Sequence, residues 1–238
     1  MDNAGYVTLT RQTGLAQELR IVANNIANAT TTGFRAEGAI YSESVSTLGA
    51  DYPSLSMAAA RVPETLGAQG VLKSTGGTFD LAIEGEGFFL VETPEGTRLT
   101  RAGHFGPNQN GDLVTADGYP VLDAGGAPVF VPTGAGPVTI GADGTISAAG
   151  QLVGQIGVVV PTDGTTLRRE GGTMFAAPDG FNPAENARVL QGFLEASNVN
   201  PTLEIARMIE VQRAYELGQS FLDKEDERIR AVMQTIGR

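Results

Sequence analysis

The chain ends in a long segment, Asn200 to Ile236, whose apolar residues recur with helical spacing. Asn200 and Pro201 predict a helix start, because Asn caps free backbone N–H groups and Pro fits the first helical position. Apolar side chains then repeat every seven residues, close to two helical turns, at Met208, Tyr215, Leu222, Ile229 and Ile236. The companion heptad position is irregular: Val211, Gly218, Glu225 and Val232. The pattern predicts a helix that lies along other helices without forming a regular two-stranded zipper.

A second amphipathic helix is predicted at the opposite end of the chain. Its apolar residues follow the alternating four- and three-residue spacing of a coiled-coil seam, at Leu15, Leu19, Val22, Ile26 and Ala29. It is expected to end near Thr30 to Gly33, where β-branched residues weaken a helix and Gly suits a left-handed cap. The simplest expectation is that the two terminal helices meet.

Two helices alone bury only one mutual face, which is little compensation for the entropy of ordering them. We therefore expect the two ends to be loose in a monomer and to become ordered when many copies pack together. The alternative is an ordinary helical hairpin that caps one domain.

From about Gly76 the hydrophobic period changes to that of strands, with short apolar runs between turn signals such as Asn110-Gly111 and Asp143-Gly144. Predicted strands include Phe88 to Val91, Val129 to Val131 and Val153 to Val160. Regularly spaced short strands favour an antiparallel sandwich or partial barrel.

The predicted fold class is therefore α+β, in which N- and C-terminal helices pair as a coiled-coil-like helical domain and enclose a central antiparallel β-rich domain. We expect the N-terminal helix in residues 1–34, an extended connector in 35–75 and the β domain in 76–180. A return connector in 181–199 and the C-terminal helix in 200–238 complete the chain.

The formal net charge of −11 is unevenly distributed. Residues 1–40 have a net charge of zero and residues 201–238 a net charge of −1, so −10 falls between residues 41 and 200. Near-neutral ends can pack against copies of themselves, while an acidic middle stays solvated. A nucleic-acid partner is not expected, because it would favour a basic face.

The sequence offers little that resembles an active site. Cysteine is absent, which excludes disulfides and thiolate metal sites, and His104 is the single histidine. Asp80, Glu84 and Glu86 could imitate a glycosidase acid pair, but their alternation with apolar residues predicts that they point outward. The Gly85-Glu86-Gly87 stretch is too short for a phosphate loop and is expected to form a tight turn. We predict no catalytic residue, cofactor, metal or small-molecule substrate.

Three asparagines, Asn24, Asn25 and Asn28, occupy the end of the first predicted helix, although Asn favours caps and turns. Asn24 and Asn28 would share a face, and their amides could bind the backbone of neighbouring copies and fix register. The alternative is a fraying helix end. The predicted subunit-interface residues are Leu15, Leu19, Val22, Asn24, Asn25, Ile26, Asn28, Met208, Val211, Tyr215, Leu222, Ile229, Val232 and Ile236.

The first residues, Met1 to Gly5, lack a basic region followed by an apolar core, so a cleaved secretory signal is not expected. No apolar run is long enough for a membrane span. If the protein leaves the cytoplasm, we expect it to do so by a route that needs no cleaved signal.

Three blocks of the sequence resemble signatures of the bacterial flagellar rod and hook family. The N-terminal block comprises Ala23 to Asn28 and Thr32 to Arg35. The central block comprises Asp80 to Phe89, Arg101 to Phe105 and Asp117 to Leu122. The C-terminal block comprises Leu194 to Val199, Met208-Ile209 and Gln212 to Tyr215. The blocks occur in the family's order and span nearly the whole chain.

This resemblance implies a structural subunit of the flagellar basal-body rod, exported through the flagellar apparatus and stacked helically into a periplasmic drive shaft that transmits torque for motility. Expected partners are copies of the chain, other rod proteins and the export apparatus. The helical ends would line the tube and the β domain would face outward. The opening Met1 to Ala4 with Tyr6 is most similar to proximal rod proteins, and a distal rod subunit is the alternative. A hypothesis of another class is a β-rich secreted carbohydrate-active or binding protein.

Overall fold

The structure, a computed structural model, describes residues 3–46, 55–65, 67–132, 134, 136–162 and 167–236. It has a helix at each end of the chain and antiparallel strands between them, which confirms the α+β class. The helices are α1, Asn3–Ala27, and α2, Pro201–Ile236.

The strands are short, apart from the first two. In chain order they are β1 Glu37–Ser46, β2 Leu55–Thr65, β3 Leu72–Ser74, β4 Leu81–Glu84, β5 Phe88–Thr93, β6 Gly96–Thr100, β7 Phe105–Pro107, β8 Leu113–Thr115, β9 Val121–Leu122, β10 Val138–Ile140, β11 Thr145–Ala148, β12 Gln151–Gln155, β13 Val158–Pro161, β14 Arg168–Arg169, β15 Met174–Ala176, β16 Phe181–Pro183, β17 Arg188–Gln191 and β18 Phe193–Glu195.

The chain divides into two compact units. The helical unit contains Met1–Ala27, Ala36–Leu66 and Asn200–Arg238. Within it, β1 and β2 form an antiparallel hairpin in which Glu37 pairs with Thr65 and Ser46 with Leu55. This hairpin lies in the region expected to be an extended connector, and it packs on α1. The predicted domain boundaries themselves stay a prediction.

The ends of the helices follow their capping residues. Asn200 Oδ1 accepts hydrogen bonds from Thr202 N (3.1 Å) and Leu203 N (3.3 Å), as its position as N-cap predicted. Helix α1 ends at Ala27, earlier than expected, and Asn28 accepts from Thr31 N in the turn that follows. Asn28 is therefore not on the helix, and the prediction that it shares a helical face with Asn24 is wrong.

The β unit contains Asn28–Arg35 and Gly67–Val199. Its largest sheet has the order β14-β15-β6-β5-β13-β16, with β9 also paired to β5, and smaller antiparallel pairs complete it. Phe89 and Phe105 meet edge to face in its core, with ring centroids 5.2 Å apart. Leu81, Ala82 and Ile83 are all buried, so β4 does not alternate as predicted and is covered on both faces.

Two of the predicted strands are not continuous strands in the structure. In both, some backbone groups form hydrogen bonds with separate segments of the β unit. The run Val153 to Val160 is split, because Ile156 N donates to Gly144 O and Gly157 N donates to Leu122 O. Val129 N donates to Val121 O in β9, and Val129 O accepts from Leu113 N in β8. The predicted strand Val129 to Val131 thus contacts two named strands through isolated bonds and is not itself a regular strand.

Candidate functional site

The two terminal helices contact each other along an antiparallel pair. Gln12 Nε2 donates to Tyr215 O (2.8 Å), and Arg207 Nη2 lies 2.8 Å from Glu18 Oε1. Asn25 Nδ2 donates to Glu204 Oε2 (3.3 Å). Early residues of α1 thus pair with late residues of α2.

The face of α2 turned to this contact has the heptad spacing that the sequence predicted. Its covered positions alternate by four and three residues, at Glu204, Met208, Val211, Tyr215, Gly218, Leu222 and Glu225. Two of the positions that are not apolar have a clear reason. Glu204 Oε2 accepts a hydrogen bond from Asn25, and Gly218 leaves room for Gln12, whose Nε2 would lie 2.3 Å from an added Cβ. The contact with Gln12 explains why the companion heptad position carries Gly218 in place of an apolar side chain.

The predicted interface residues fall into three groups. Val22, Asn25 and Val211 are already buried within their own chain. Ile229 and Val232 are exposed. The others are partly covered, at Leu15, Leu19, Asn24, Ile26, Asn28, Met208, Tyr215 and Leu222. The side chain of Ile236 lies outside the described residues, and the interface as a whole stays a prediction.

Asn25 has an intramolecular role that the sequence did not reveal. Its side chain is 1% exposed. Asn25 Nδ2 donates to Glu37 O (2.9 Å), and Asn25 Oδ1 accepts from Glu37 N (2.9 Å). The amide therefore replaces a strand partner for the first residue of β1 and attaches the hairpin to α1.

Several large apolar side chains of α2 are exposed and were not in the predicted set. Leu203, Leu217 and Phe221 lie on one flank of the helix, because they are 14 and 4 residues apart. Ile205 and Ile209 lie on the other flank. The seven-residue repeat selects only the inner seam, so the flanks could have been found from the remaining apolar positions read at 100° per residue.

A groove of about 430 Å³ follows the first flank between α1 and α2. Val7, Arg11 and Leu15 form its α1 wall, and Leu217 and Phe221 form its α2 wall. Leu217 is 73% exposed, and together with the exposed Phe221 one turn later it forms a contiguous apolar patch along the groove. An exposed apolar face of this kind suits protein contact.

A buried ionic cluster within the β unit joins residues from all three sequence blocks. Arg35 Nη2 lies 3.2 Å from Glu195 Oε1, and Arg101 Nη1 lies 3.1 Å from Glu195 Oε2. All three side chains are nearly inaccessible. We call these residues the Arg-Glu-Arg cluster. Each of the three residues lies in a separate sequence motif and no local period links them, so the sequence did not predict their contact.

Backbone groups satisfy most of the remaining capacity of the Arg-Glu-Arg cluster. Glu195 Oε1 accepts from Gly70 N (3.0 Å), Arg101 Nη2 donates to Gly85 O (2.6 Å), and Arg35 Nη1 donates to Ala68 O (2.9 Å). Burial lowers the pKa of Arg101 to about 10, although the Glu195 carboxylate opposes that shift. The guanidinium is therefore still charged at neutral pH, and two cations share one buried anion.

Gly33 allows the backbone beside the Arg-Glu-Arg cluster to pass close to the backbone of Ala102. Its φ is +70°, and an added Cβ would lie 2.3 Å from Ala102 N. Gly33 N also donates to Glu195 O (2.7 Å). A side chain at this position would be strained and would collide with backbone.

The candidate catalytic residues form surface contacts. His104 Nδ1 lies 2.6 Å from Asp80 Oδ1, and Thr75 Oγ1 donates to Asp80 Oδ2 (2.6 Å). Burial opposes ionisation of Asp80, but the bonds from Thr75 and His104 outweigh it and hold the pKa of that carboxyl below its usual value. The exposed Glu84 lies 3.9 Å from Arg188.

The turn predicted at Gly85-Glu86-Gly87 is present, since Gly85 has φ +94° and Gly87 has φ +144°. Glu86 between them is exposed. Among the described residues, His, Asp and Glu side chains form no group of three suited to a metal ion. Within the same residues, neither helix combines the length and apolar character needed to cross a bilayer.

Comparison with known sequences gives matches along the whole chain. The sequence model of the flagella basal body rod protein matches residues 6–35. The flagellar hook protein FlgE/F/G D1 domain matches residues 82–148, and the flagellar basal body rod FlgEFG protein C-terminal matches residues 190–235.

Full-length relatives carry the same family name. The chain is 42% identical to the flagellar basal-body rod protein FlgF of Caulobacter vibrioides, over 100% of this chain and 99% of the relative. It is 39% identical to FlgF of Mesorhizobium japonicum, with the same coverage. It is 32% identical to the flagellar basal-body rod protein FlgG of Bacillus subtilis, over 96% of this chain and 97% of the relative. The chain therefore belongs to the flagellar basal-body rod protein family, as an FlgF-type member.

Proposed function

We infer that this chain is a structural subunit of the flagellar basal-body rod, of the proximal-rod type. The observation that carries the inference is the long α2, whose seam pairs with α1 while apolar side chains remain exposed on its flanks and near its end. A helix built this way needs further helices to cover it. The full-length FlgF relatives support the same role.

In finer terms, we propose that α1 and α2 pair in a coiled-coil-like manner and that copies pack through these helices into a helical drive shaft. The near-neutral ends support close packing, and the acidic middle of the chain favours solvation. The proposed partners are copies of this chain, other rod proteins and the flagellar export apparatus. The shaft would cross the periplasm and transmit motor torque.

A single charge on the exposed apolar end of α2 tests this function. Ile229→Asp is expected to prevent incorporation into basal bodies and abolish motility, because the carboxylate would be desolvated in a helix contact. Ser220→Asp is the matched control, since it adds the same charge at an exposed polar position of the same helix. Basal bodies are isolated from cells that carry each variant in place of the native chain, and the chain is quantified in them.

Denaturant unfolding of both purified variants should show an unchanged β unit, which separates assembly from folding. Normal incorporation of the Ile229→Asp variant would contradict the proposed function. Hydrogen exchange adds a second readout: residues 1–33 and 200–238 of the free monomer are expected to exchange more quickly than the β unit, as a helical unit of low stability would. Strong protection there in the monomer would also count against assembly-dependent ordering.

We further propose that the chain has no enzymatic role. Replacing Glu84, Glu86 and His104 together is then expected to leave motility intact, because these side chains lie at the exposed edge of the β unit. Loss of motility with normal rod assembly would favour the enzyme hypothesis instead.

A further inference from the structure

Within the part of the chain that the structure describes, the pairing of the helices leaves the end of α2 without a partner helix. Gln12 pairs with Tyr215 and Asn25 with Glu204. Continuing this antiparallel register places Asn3, the first residue of α1, level with about residue 225 of α2. The last turns of α2 therefore extend beyond α1 by about 15 Å at 1.5 Å per residue. We call residues 227–236 the overhang.

The overhang continues the apolar seam that α1 covers elsewhere. Ile229, Val232 and Met233 are spaced three and four residues apart, so they share one face. They are 38%, 47% and 69% exposed. Because Ile229 follows Leu222 by seven residues, this face is the direct extension of the helix-pairing surface.

The groove between α1 and α2 has a surface that is complementary to the overhang. Leu15, Leu217 and Phe221 line it with apolar surface, and Arg11 supplies an exposed positive charge. Glu227, at the start of the overhang, is exposed and negatively charged. A helix with apolar residues at i, i+3 and i+4 is a typical occupant of a groove of this kind.

The overhang does not reach the groove of its own molecule. Both are parts of one continuous helix, and no Gly or Pro lies between Gln219 and Ile236 to bend it. Every copy thus presents both a groove and a helix end that fits it. Contacts between two different surfaces of identical chains propagate along a filament unless rotation closes them.

We propose that the overhang of one copy occupies the α1–α2 groove of the next. This inference rests on the proposed function and names the contact through which copies join. The groove is centred near Leu217 and the overhang near Arg230. Parallel copies would therefore be displaced along the helix axis by about 20 Å.

The absence of cysteine makes a cross-linking test direct. The variant carries Leu217→Cys and Met233→Cys in one chain. These positions lie about 24 Å apart on one rigid helix, so a short bismaleimide cannot join them within a molecule. Basal bodies from cells with this variant as their only copy are treated with the reagent, and cross-linked peptides are mapped by mass spectrometry.

The expected result is a ladder of oligomers joined by peptides that link position 217 to position 233. Either single-cysteine variant should give no ladder, and Leu152→Cys with Met233→Cys, which places the second thiol on an exposed site of the β unit, should give none either. A second pair, Val7→Cys with Ile229→Cys, tests the same contact if the first variant fails to assemble.

Assembled rods in which neither pair cross-links, or in which 217 joins only 217 and 233 only 233, would overturn the overhang contact while leaving the proposed function intact. Absence of the unsubstituted chain from basal bodies would contradict the proposed function instead.

Discussion

At the residue scale, one side chain connects three motifs that are far apart in the sequence. Glu195 is the only carboxylate described in contact with both Arg35 and Arg101, and all three are buried. A buried charge pair contributes little net stability compared with an apolar replacement, yet removing one member leaves an uncompensated charge. The Arg-Glu-Arg cluster should therefore respond strongly to loss of its one anion.

Glu195→Gln is expected to lower the free energy of unfolding by about 3–5 kcal/mol, because two guanidinium groups would remain buried without a carboxylate. Denaturant unfolding of the purified chain measures the change. Glu84→Gln is the control, since its contact with Arg188 is exposed and long, and it should change stability by less than about 1 kcal/mol. Equal effects of the two substitutions would refute the role of the cluster.

Asp80 gives a pH-dependent prediction. Its pKa in the folded chain lies below the usual 3.8, so the ionised form favours folding. That contribution is complete above the usual pKa and is lost as the pH falls through the folded pKa. Asp80→Asn is therefore expected to be less stable than the native chain near neutral pH, with the difference shrinking in acid.

Urea unfolding at neutral pH and at a pH below the folded pKa checks this. Thr75→Val, which removes the 2.6 Å donor to Asp80, should change stability in the same direction by a smaller amount. A deficit in Asp80→Asn of the same size at both pH values would contradict the assignment.

Among the secondary-structure elements, those with local signals were predictable and those built by distant partners were not. The cap at Asn200 and the heptad spacing gave α2 correctly, because both are properties of neighbouring residues. The β1–β2 hairpin was missed, since its Ser- and Ala-rich strands lack apolar alternation and β1 begins on the side chain of Asn25. The turn at Asn28 was not predicted, because the sequence signals that end a helix are weak and leave its last residues uncertain.

Asn25→Ala is expected to destabilise the helical unit by about 1–3 kcal/mol, because Glu37 would lose bonds at both its N–H and C=O. Asn24→Ala, one residue earlier and only partly buried, should have a smaller effect. Thermal unfolding followed by circular dichroism compares them, and hydrogen exchange at Glu37 locates the change. If Asn24→Ala proved the more damaging, the role given to the Asn25 amide would be contradicted.

Taken as one chain, the protein passes between its two units four times, after Ala27, Arg35, Leu66 and Val199. Residues beside three of these passages are bonded together within the β unit. Asn198 N donates to Phe34 O (3.3 Å), and Asn198 Nδ2 donates to Ala68 O (2.8 Å). We call Phe34, Ala68 and Asn198 the junction. The sequence predicted that the terminal helices enclose a β domain, but it did not predict the junction, because Asn198 is more than a hundred residues from its two partners and no pattern links them.

Lengthening the chain should therefore be tolerated far from this junction and not within it. Four Gly-Ser residues inserted after Gly126, an exposed turn with open space around it, are expected to change the free energy of unfolding by less than about 1 kcal/mol. The same insertion between Ala68 and Gln69 should lower stability markedly, because Ala68 O accepts bonds from Arg35 and Asn198, and Gln69 Nε2 donates to Ile83 O. Denaturant unfolding of both variants measures the difference, and equal tolerance would contradict the importance of the junction.

The late position of Glu195 in the chain also affects when the β unit can fold. A polypeptide that emerges N-terminus first exposes Arg35 and Arg101 long before their shared carboxylate appears. Until then, closing the β unit would bury two like charges without an anion, which is strongly unfavourable. The β unit is therefore expected to close only once Glu195 is available, when most of the polypeptide is already present.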